Sequence, residues 1–117
     1  MEIEFYETAS RNQPITEFIK SLKPAEQAKI ARALDLLEEF GTELGRPYVK
    51  ILPGSGGLWE LRVPFGGQAF RLVFLKEGNT AVIVHAFQKK TLKTPKSKLD
   101  TAIARMKDHQ TRKGDSK

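Results

Sequence analysis

The residues best suited to chemistry fall on two short strands. Leu58 to Val63 (LWELRV) and Gln68 to Leu75 (QAFRLVFL) alternate polar and apolar residues, the period-2 pattern of a strand. If Pro64, Phe65, Gly66 and Gly67 form a hairpin loop, Val63 faces Gln68, Arg62 faces Ala69 and Glu60 faces Arg71, while Leu61 meets Phe70 and Trp59 meets Leu72. One face is then apolar and the other gathers Glu60, Arg62 and Arg71. An arginine is a permanently charged planar fork that binds carboxylate or phosphate through two bonds, and it is costly to bury unpaired. The plain alternative is a Glu60–Arg71 ion pair on a solvated sheet.

A second basic group follows in Gln88 to Lys98 (QKKTLKTPKSK), with lysines at 89, 90, 93, 96 and 98 and no acid among them. Thr94 and Pro95 read as the N-cap and first residue of a helix, which puts Lys96 and Lys98 in its first turn. Helix starts ordinarily favour Asp or Glu, because the macrodipole places roughly half a positive charge there. Lysines at that position suit an anion docked on the free N–H groups, and phosphate is the expected one. His85 is the one histidine inside a predicted element and titrates near neutrality. Its face depends on the 76–79 turn: an even number of loop residues puts it with Phe70 and Leu72, three puts it with Arg71. His109 falls in the C-terminal segment and is read as incidental.

Other chemistries find no support. The chain has no cysteine and no grouping of His, Asp and Glu at metal-ligand spacing, so neither a metal site nor a two-metal nuclease centre is expected. Pro53 to Gly57 (PGSGG) is followed by a strand and lacks the Gly-Lys-Ser/Thr of a phosphate loop, and no serine stands in a Gly-x-Ser-x-Gly elbow. No cofactor is expected.

Several elements must hold these residues. Glu2 to Glu7 alternates as a first strand. Pro14 suits a first helical turn, and Ile15, Phe18, Ile19 and Leu22 recur at helical spacing; after Pro24, Ile30, Ala33, Leu34 and Leu37 continue a longer helix to Gly41. The two helices predict a hairpin. Thr42 to Gly57 reads as a connector with a possible short strand at Tyr48 to Leu52, Ala81 to Phe87 reads as a strand buried on both faces, and Leu99, Ala102, Ile103 and Met106 stripe a last helix. The expected order is β-α-α-β-β-β-α, an α+β domain over residues 1–107 with a small, mostly antiparallel sheet and a flexible tail at 108–117.

At 117 residues the chain supports one hydrophobic core. Its net charge of +6 is unevenly spread: residues 1–43 hold 5 basic and 9 acidic side chains, net −4, and residues 44–117 hold 15 and 5, net +10. That asymmetry points to a polyanionic partner of the second half. No apolar run reaches the ~20 residues of a membrane span, and the start (MEIEFYET) is acidic, so a soluble cytoplasmic protein is expected.

The stretches LWELRVPFGGQAFRLVF and VIVHAFQKKTLKTPKSKLDTA resemble the RelE/ParE/HigB superfamily of type II toxin–antitoxin toxins, nearest its phage-derived, HigB-like branch. The shared features are a Trp-Glu-Leu-Arg strand (Trp59 to Arg62), a following strand that opens on an arginine, and a His/Gly-x-Phe-x-Lys-Lys-Thr-x-x-Thr-Pro signature (His85 to Pro95) before the last helix. The likeness runs from Ile3 to about Lys107. It implies a RelE-like fold and a ribosome-dependent, metal-independent mRNA endoribonuclease, or mRNA interferase, that inhibits translation and is restrained by a cognate antitoxin, expected to be a helix-turn-helix protein. In that chemistry the ribose 2′-OH attacks the adjacent phosphate, which calls for a base, an acid and positive charge on the pentacoordinate phosphate.

The resemblance implies Arg62, Arg71, Lys90 and His85 at the catalytic centre. Lys50, Phe87, Lys89, Lys93, Lys96 and Lys98 complete the expected RNA-binding surface. No tyrosine stands in the C-terminal segment where the RelE branch carries one, so Lys90, His85 or another lysine must supply the base. The ParE branch shares the fold but poisons DNA gyrase, and a non-catalytic RNA- or ribosome-binding module is the third reading.

Overall fold

The chain folds, in a computed structural model describing residues 1–89 and 94–115, into β1 (Glu2–Phe5), α1 (Pro14–Lys20), α2 (Pro24–Phe40), a 3-10 turn (Gly41–Leu44), β2 (Val49–Ile51), β3 (Leu58–Phe65), β4 (Gln68–Glu77), β5 (Thr80–Lys89) and α3 (Lys96–Asp115). The α+β class is as expected, but the order contains one strand more than β-α-α-β-β-β-α. The added strand is β2, three residues in a Gly- and Pro-rich stretch. It falls inside the possible strand at Tyr48 to Leu52, which the expected order leaves out, and it is fixed by pairing with β3, where Val49 is buried opposite Leu61.

The five strands lie in the order β1-β5-β4-β3-β2, with β1 parallel to β5 and the other pairs antiparallel. β4 and β5 are central and almost wholly buried, while β1 and β2 form the edges. Phe18 of α1 packs edge-on against Phe70 at 6.3 Å, and Ile15, Ile30 and Leu37 of the α1–α2 hairpin are buried. α3 covers part of the opposite face with Ala102 and Met106.

Two registers decide what the exposed part of that second face carries. The β3–β4 hairpin closes two residues tighter than expected: Phe65 faces Gln68, Arg62 faces Arg71, and Glu60 faces Val73. The turn is Gly66–Gly67 alone, with Gly66 at φ +63°, the left-handed geometry that two-residue hairpins need. Because the slip is an even number of residues, every side chain keeps its face. Glu60, Arg62 and Arg71 remain together.

The β4–β5 turn, Gly78–Asn79, is also two residues long, since Glu77 faces Thr80. By the turn alone His85 belongs with Phe70 and Leu72. A bulge intervenes: Phe74 faces Ile83 but Val73 faces His85, so Val84 is an extra residue that inverts the alternation beyond it. His85, Phe87 and Lys89 thereby come to the Arg71 face, Phe87 directly opposite Arg71.

α3 also departs from expectation at both ends. It opens at Lys96, and Thr94 Oγ1 donates 2.5 Å to Glu60 Oε2. It runs to Asp115, through residues read as a flexible tail. Polar contacts hold it there: Tyr6 OH donates to Asp108 Oδ2 at 2.6 Å, Lys113 Nζ to Glu77 Oε1 at 3.0 Å, and Arg112 to Asp108 and to the Glu7 carbonyl. Among the described residues no helix is long and apolar enough to cross a membrane.

Candidate active site

Glu60 and Arg71 form the base of the site. Neither residue exceeds 1% exposure, and Arg71 Nη1 donates 2.7 Å to Glu60 Oε1. Thr94 takes the other carboxylate oxygen, so Glu60 ties β3 at once to β4 and to the residue two before α3. The ion pair read as a solvated alternative is present, but it is buried. A buried carboxylate demands such full pairing, because an uncompensated charge costs several kcal/mol in a low-dielectric surrounding, roughly 3–5 when one partner is removed.

Above this pair lies an open basin of about 480 Å³ lined by Arg46, Pro47, Lys50, Arg62 and Arg71. Lys50 pairs with Glu60 in register and so shares its face. Arg62, half-buried, stands directly opposite Arg71, an arrangement that like charges resist. Glu60 offsets one of the two guanidiniums, and the basin keeps an excess of positive charge with no carboxylate in its lining. Such a hollow attracts a polyanion.

β5 and the start of α3 supply the flank. Phe87 is buried opposite Arg71, with Lys98 Nζ 5.7 Å from its ring centroid. Lys89 lies at the end of β5 opposite Ala69. Lys96 is exposed and pairs with Asp100 at 3.7 Å, one turn along the helix. Lys90 and Lys93 lie outside the described residues.

His85 has a partner that the sequence did not announce. Arg105 Nη1 approaches its Nδ1 at 3.0 Å and also donates to the Val84 carbonyl, exposed by the bulge, at 3.0 Å. A guanidinium only donates, so Nδ1 accepts and the neutral ring carries its proton on Nε2. Burial, then the positive charges of Arg105 and Lys98, lower the His85 pKa to about 4. At neutral pH it is an uncharged imidazole, a hydrogen-bond donor through Nε2–H rather than an imidazolium general acid.

Arg46, Thr94 and Arg105 are the residues sequence reasoning missed. Arg46 lies in the connector, Thr94 carries the sequence signature of a helix cap, and Arg105 sits on the polar side of the α3 stripe. Only the basic character of Gly45-Arg46-Pro47 beside a possible strand hinted at the first.

A separate cluster lies at the other end of β4. Glu4, Glu77 and His109 bring ligand-type atoms within 4.8 Å of one another, a grouping across distant segments that sequence spacing does not display. Lys113 already contacts Glu77 there, and Lys113 and His109 hold the Glu77 carboxyl below its ordinary pKa against the opposing pull of burial. Glu77, with His109 and Lys113 bound to its carboxylate, is a polar clasp for the end of α3, six residues along the strand from Arg71, or roughly 20 Å.

Comparison with known proteins fits this site to a lineage. The chain is 38% identical over 66 residues to the protein named probable endoribonuclease HigB1 in each of two strains of Mycobacterium tuberculosis, covering 56% of this chain and 53% of the relative. The chain thus spans about half the length of the curated relatives it matches. The family described as phage-derived protein Gp49-like matches residues 17–107, a stretch that takes in the end of α1, all of α2, strands β2–β5 and most of α3. With the family's span enclosing every residue of the basin, the chain belongs to the phage-derived Gp49-like proteins, the HigB-like branch that its motifs resemble.

Proposed function

We propose that the protein is the toxin of a type II toxin–antitoxin pair and an endoribonuclease that cuts mRNA on the ribosome without a metal ion, in the cytoplasm. The observation that carries the reading is the basin, with cations from four places in the chain, Arg46, Lys50, Arg62 and Arg71, over one buried carboxylate. Those cations supply the positive charge that a pentacoordinate phosphate needs. Arg62 and Lys50 are the more open groups and meet the scissile phosphate first. Arg71, at the floor, orients them and stabilises the transition state. Lys89, Lys93, Lys96 and Lys98 extend the track for flanking nucleotides, with buried Phe87 supporting Lys98 from beneath. Lys90, in its uncharged form, takes the proton of the 2′-OH as the O2′–P bond forms and the P–O5′ bond breaks, and water protonates the departing 5′-oxygen; His85, whose Nδ1 is engaged, contributes a hydrogen bond through Nε2–H. The relatives named probable endoribonuclease HigB1 support the reading, and the expected partner is a helix-turn-helix antitoxin.

The test is cleavage of a defined mRNA in a purified translation system, mapped by primer extension. Cleavage is expected from the wild type, with 2′,3′-cyclic phosphate ends. Naked RNA left intact under the same conditions supports the ribosome requirement; naked RNA that is cut refutes it, and loss of that cutting in EDTA refutes the metal-free step. Inhibition of gyrase supercoiling with no cut RNA selects the gyrase-poison reading, and salt-sensitive RNA binding with no product selects the binding module.

A further inference from the structure

Glu60 lies among cations. Lys50 stands opposite it on β2, Arg62 follows two residues along the same face of β3, and Arg71 Nη1 donates to its Oε1. With no exposed surface, the carboxylate must satisfy its second oxygen inside the protein. Each of those cations is a stronger donor than a hydroxyl. Oε2 is nevertheless held by a neutral group, the Thr94 hydroxyl, at 2.5 Å.

Thr94 is not spent on the helix that follows it. The Pro95 carbonyl accepts the N–H groups of Lys98 and Leu99, both at 3.1 Å, so α3 takes its first bonds from Pro95 and Thr94 stands one residue outside the cap. Pro95 in turn biases Thr94 toward extended backbone, which limits the directions open to its side chain. The Thr-Pro pair that reads as a helix start thus delivers a hydroxyl to a carboxylate 34 residues upstream.

A neutral partner has an electrostatic consequence. A carboxylate offsets whichever cation it binds, and a second cation drawn to Oε2 is lost to a phosphate in the basin. Lys50 and Arg62 both line that basin. With Thr94 on Oε2, the one acid is matched to the arginine at the floor, and the other cations stay in excess over it.

We propose that Thr94 is a positioning residue of the RNA-cutting site: its neutral hydroxyl closes the Glu60 carboxylate, holds Arg71 at the basin floor and keeps Lys50 and Arg62 for the scissile phosphate. This rests on the endoribonuclease reading above. The test is single-turnover cleavage of a defined mRNA on purified ribosomes over a range of protein concentrations, which separates the maximal rate from half-saturation. Thr94→Val keeps the shape and removes the donor, while Thr94→Ser keeps the donor. The maximal rate falls by about tenfold or more in Thr94→Val with half-saturation within about threefold of wild type, and Thr94→Ser restores the rate to within about threefold. In a Glu60→Gln background Thr94→Val slows cleavage by no more than about threefold further, because its effect runs through that carboxylate.

A rise in half-saturation with the maximal rate unchanged makes Thr94 an anchor for the lysine-bearing segment and overturns the proposal. Losses that multiply in the double variant, wild-type kinetics of Thr94→Val, or slow cleavage by Thr94→Ser overturn it as well. Unfolding of both Thr94→Val and Thr94→Ala, followed by circular dichroism, makes the hydroxyl a structural prop and has the same force. Absence of cleavage by the wild-type chain, on ribosomes and on naked RNA alike, removes the endoribonuclease reading and this role with it.

Discussion

Replacing Arg71 by alanine is the obvious way to inactivate the site, and the burial of its partner predicts a structural consequence as well. Glu60 has no exposed surface, and its carboxylate is held by Arg71 on one oxygen and Thr94 on the other. Removing the guanidinium leaves a buried anion with a single hydroxyl donor, a loss of about 3–5 kcal/mol. Small domains have only ~5–15 kcal/mol in total. At roughly 3–5 °C per kcal/mol for a chain of this length, Arg71→Ala lowers the melting temperature by ~10–20 °C. The pair Glu60→Leu with Arg71→Met removes both charges together and recovers most of that loss. Calorimetric unfolding of the two singles and the double completes a cycle whose coupling should exceed about 2 kcal/mol. The same double variant, folded, cuts no RNA if the guanidinium acts on the phosphate. An Arg71→Ala protein within ~0.5 kcal/mol of wild type refutes the buried-pair reasoning, and wild-type cleavage by the folded double variant refutes the role in catalysis.

Arg62→Ala behaves differently, because Arg62 is half-buried with open solvent beside it: unfolding stays within ~1 kcal/mol of wild type while kcat for RNA cleavage falls by roughly 10²–10³-fold, measured in single-turnover assays. The lowered pKa of His85 sets a pH window. The unfolded chain binds the proton from about pH 6.5 downward and the folded one only near 4, so His85 contributes stability above pH 6.5 that is lost as pH falls towards 4. After solvent screening is allowed for, this amounts to about 1–2 kcal/mol by denaturant titration at pH 7 and pH 4.5. Arg105→Met removes a cause of that shift, and the NMR titration midpoint of His85 moves upward. Truncation after Lys107 removes Asp108, His109, Arg112 and Lys113 from their partners; it lowers the melting temperature by several degrees, where loss of a frayed tail leaves it unchanged.

The elements with strong periodicity were legible in the sequence. The helical hairpin from Pro14 to Phe40, the two alternating strands around Gly66 and the buried run at Ala81 each carry their pattern locally, and the face shared by Glu60, Arg62 and Arg71 survived a wrong loop length because the slip was even. What escaped depends on distant residues. Thr94 is drawn to a carboxylate 34 positions away, and the last turns of α3 are held by Tyr6, Glu7 and Glu77. Helical periodicity reports burial of apolar groups, and a polar helix end anchored by ion pairs leaves no such trace.

The extra residue at Val84 makes β5 a strand with two phases. Toward its start the alternation serves packing, and past Val84 it serves the basic face. Were Val84 kept but paired in regular register, Val73 would face Val84 and Leu72 would face His85, which turns Phe87 and Lys89 toward the helical hairpin; deleting Val84 instead leaves His85 opposite Val73 and keeps both side chains on the Arg71 face. The direction in which the strand presents its charge is thus set by one unpaired residue, and a regular register through Val84 is a heavier change to this surface than the substitution of any single lysine along it.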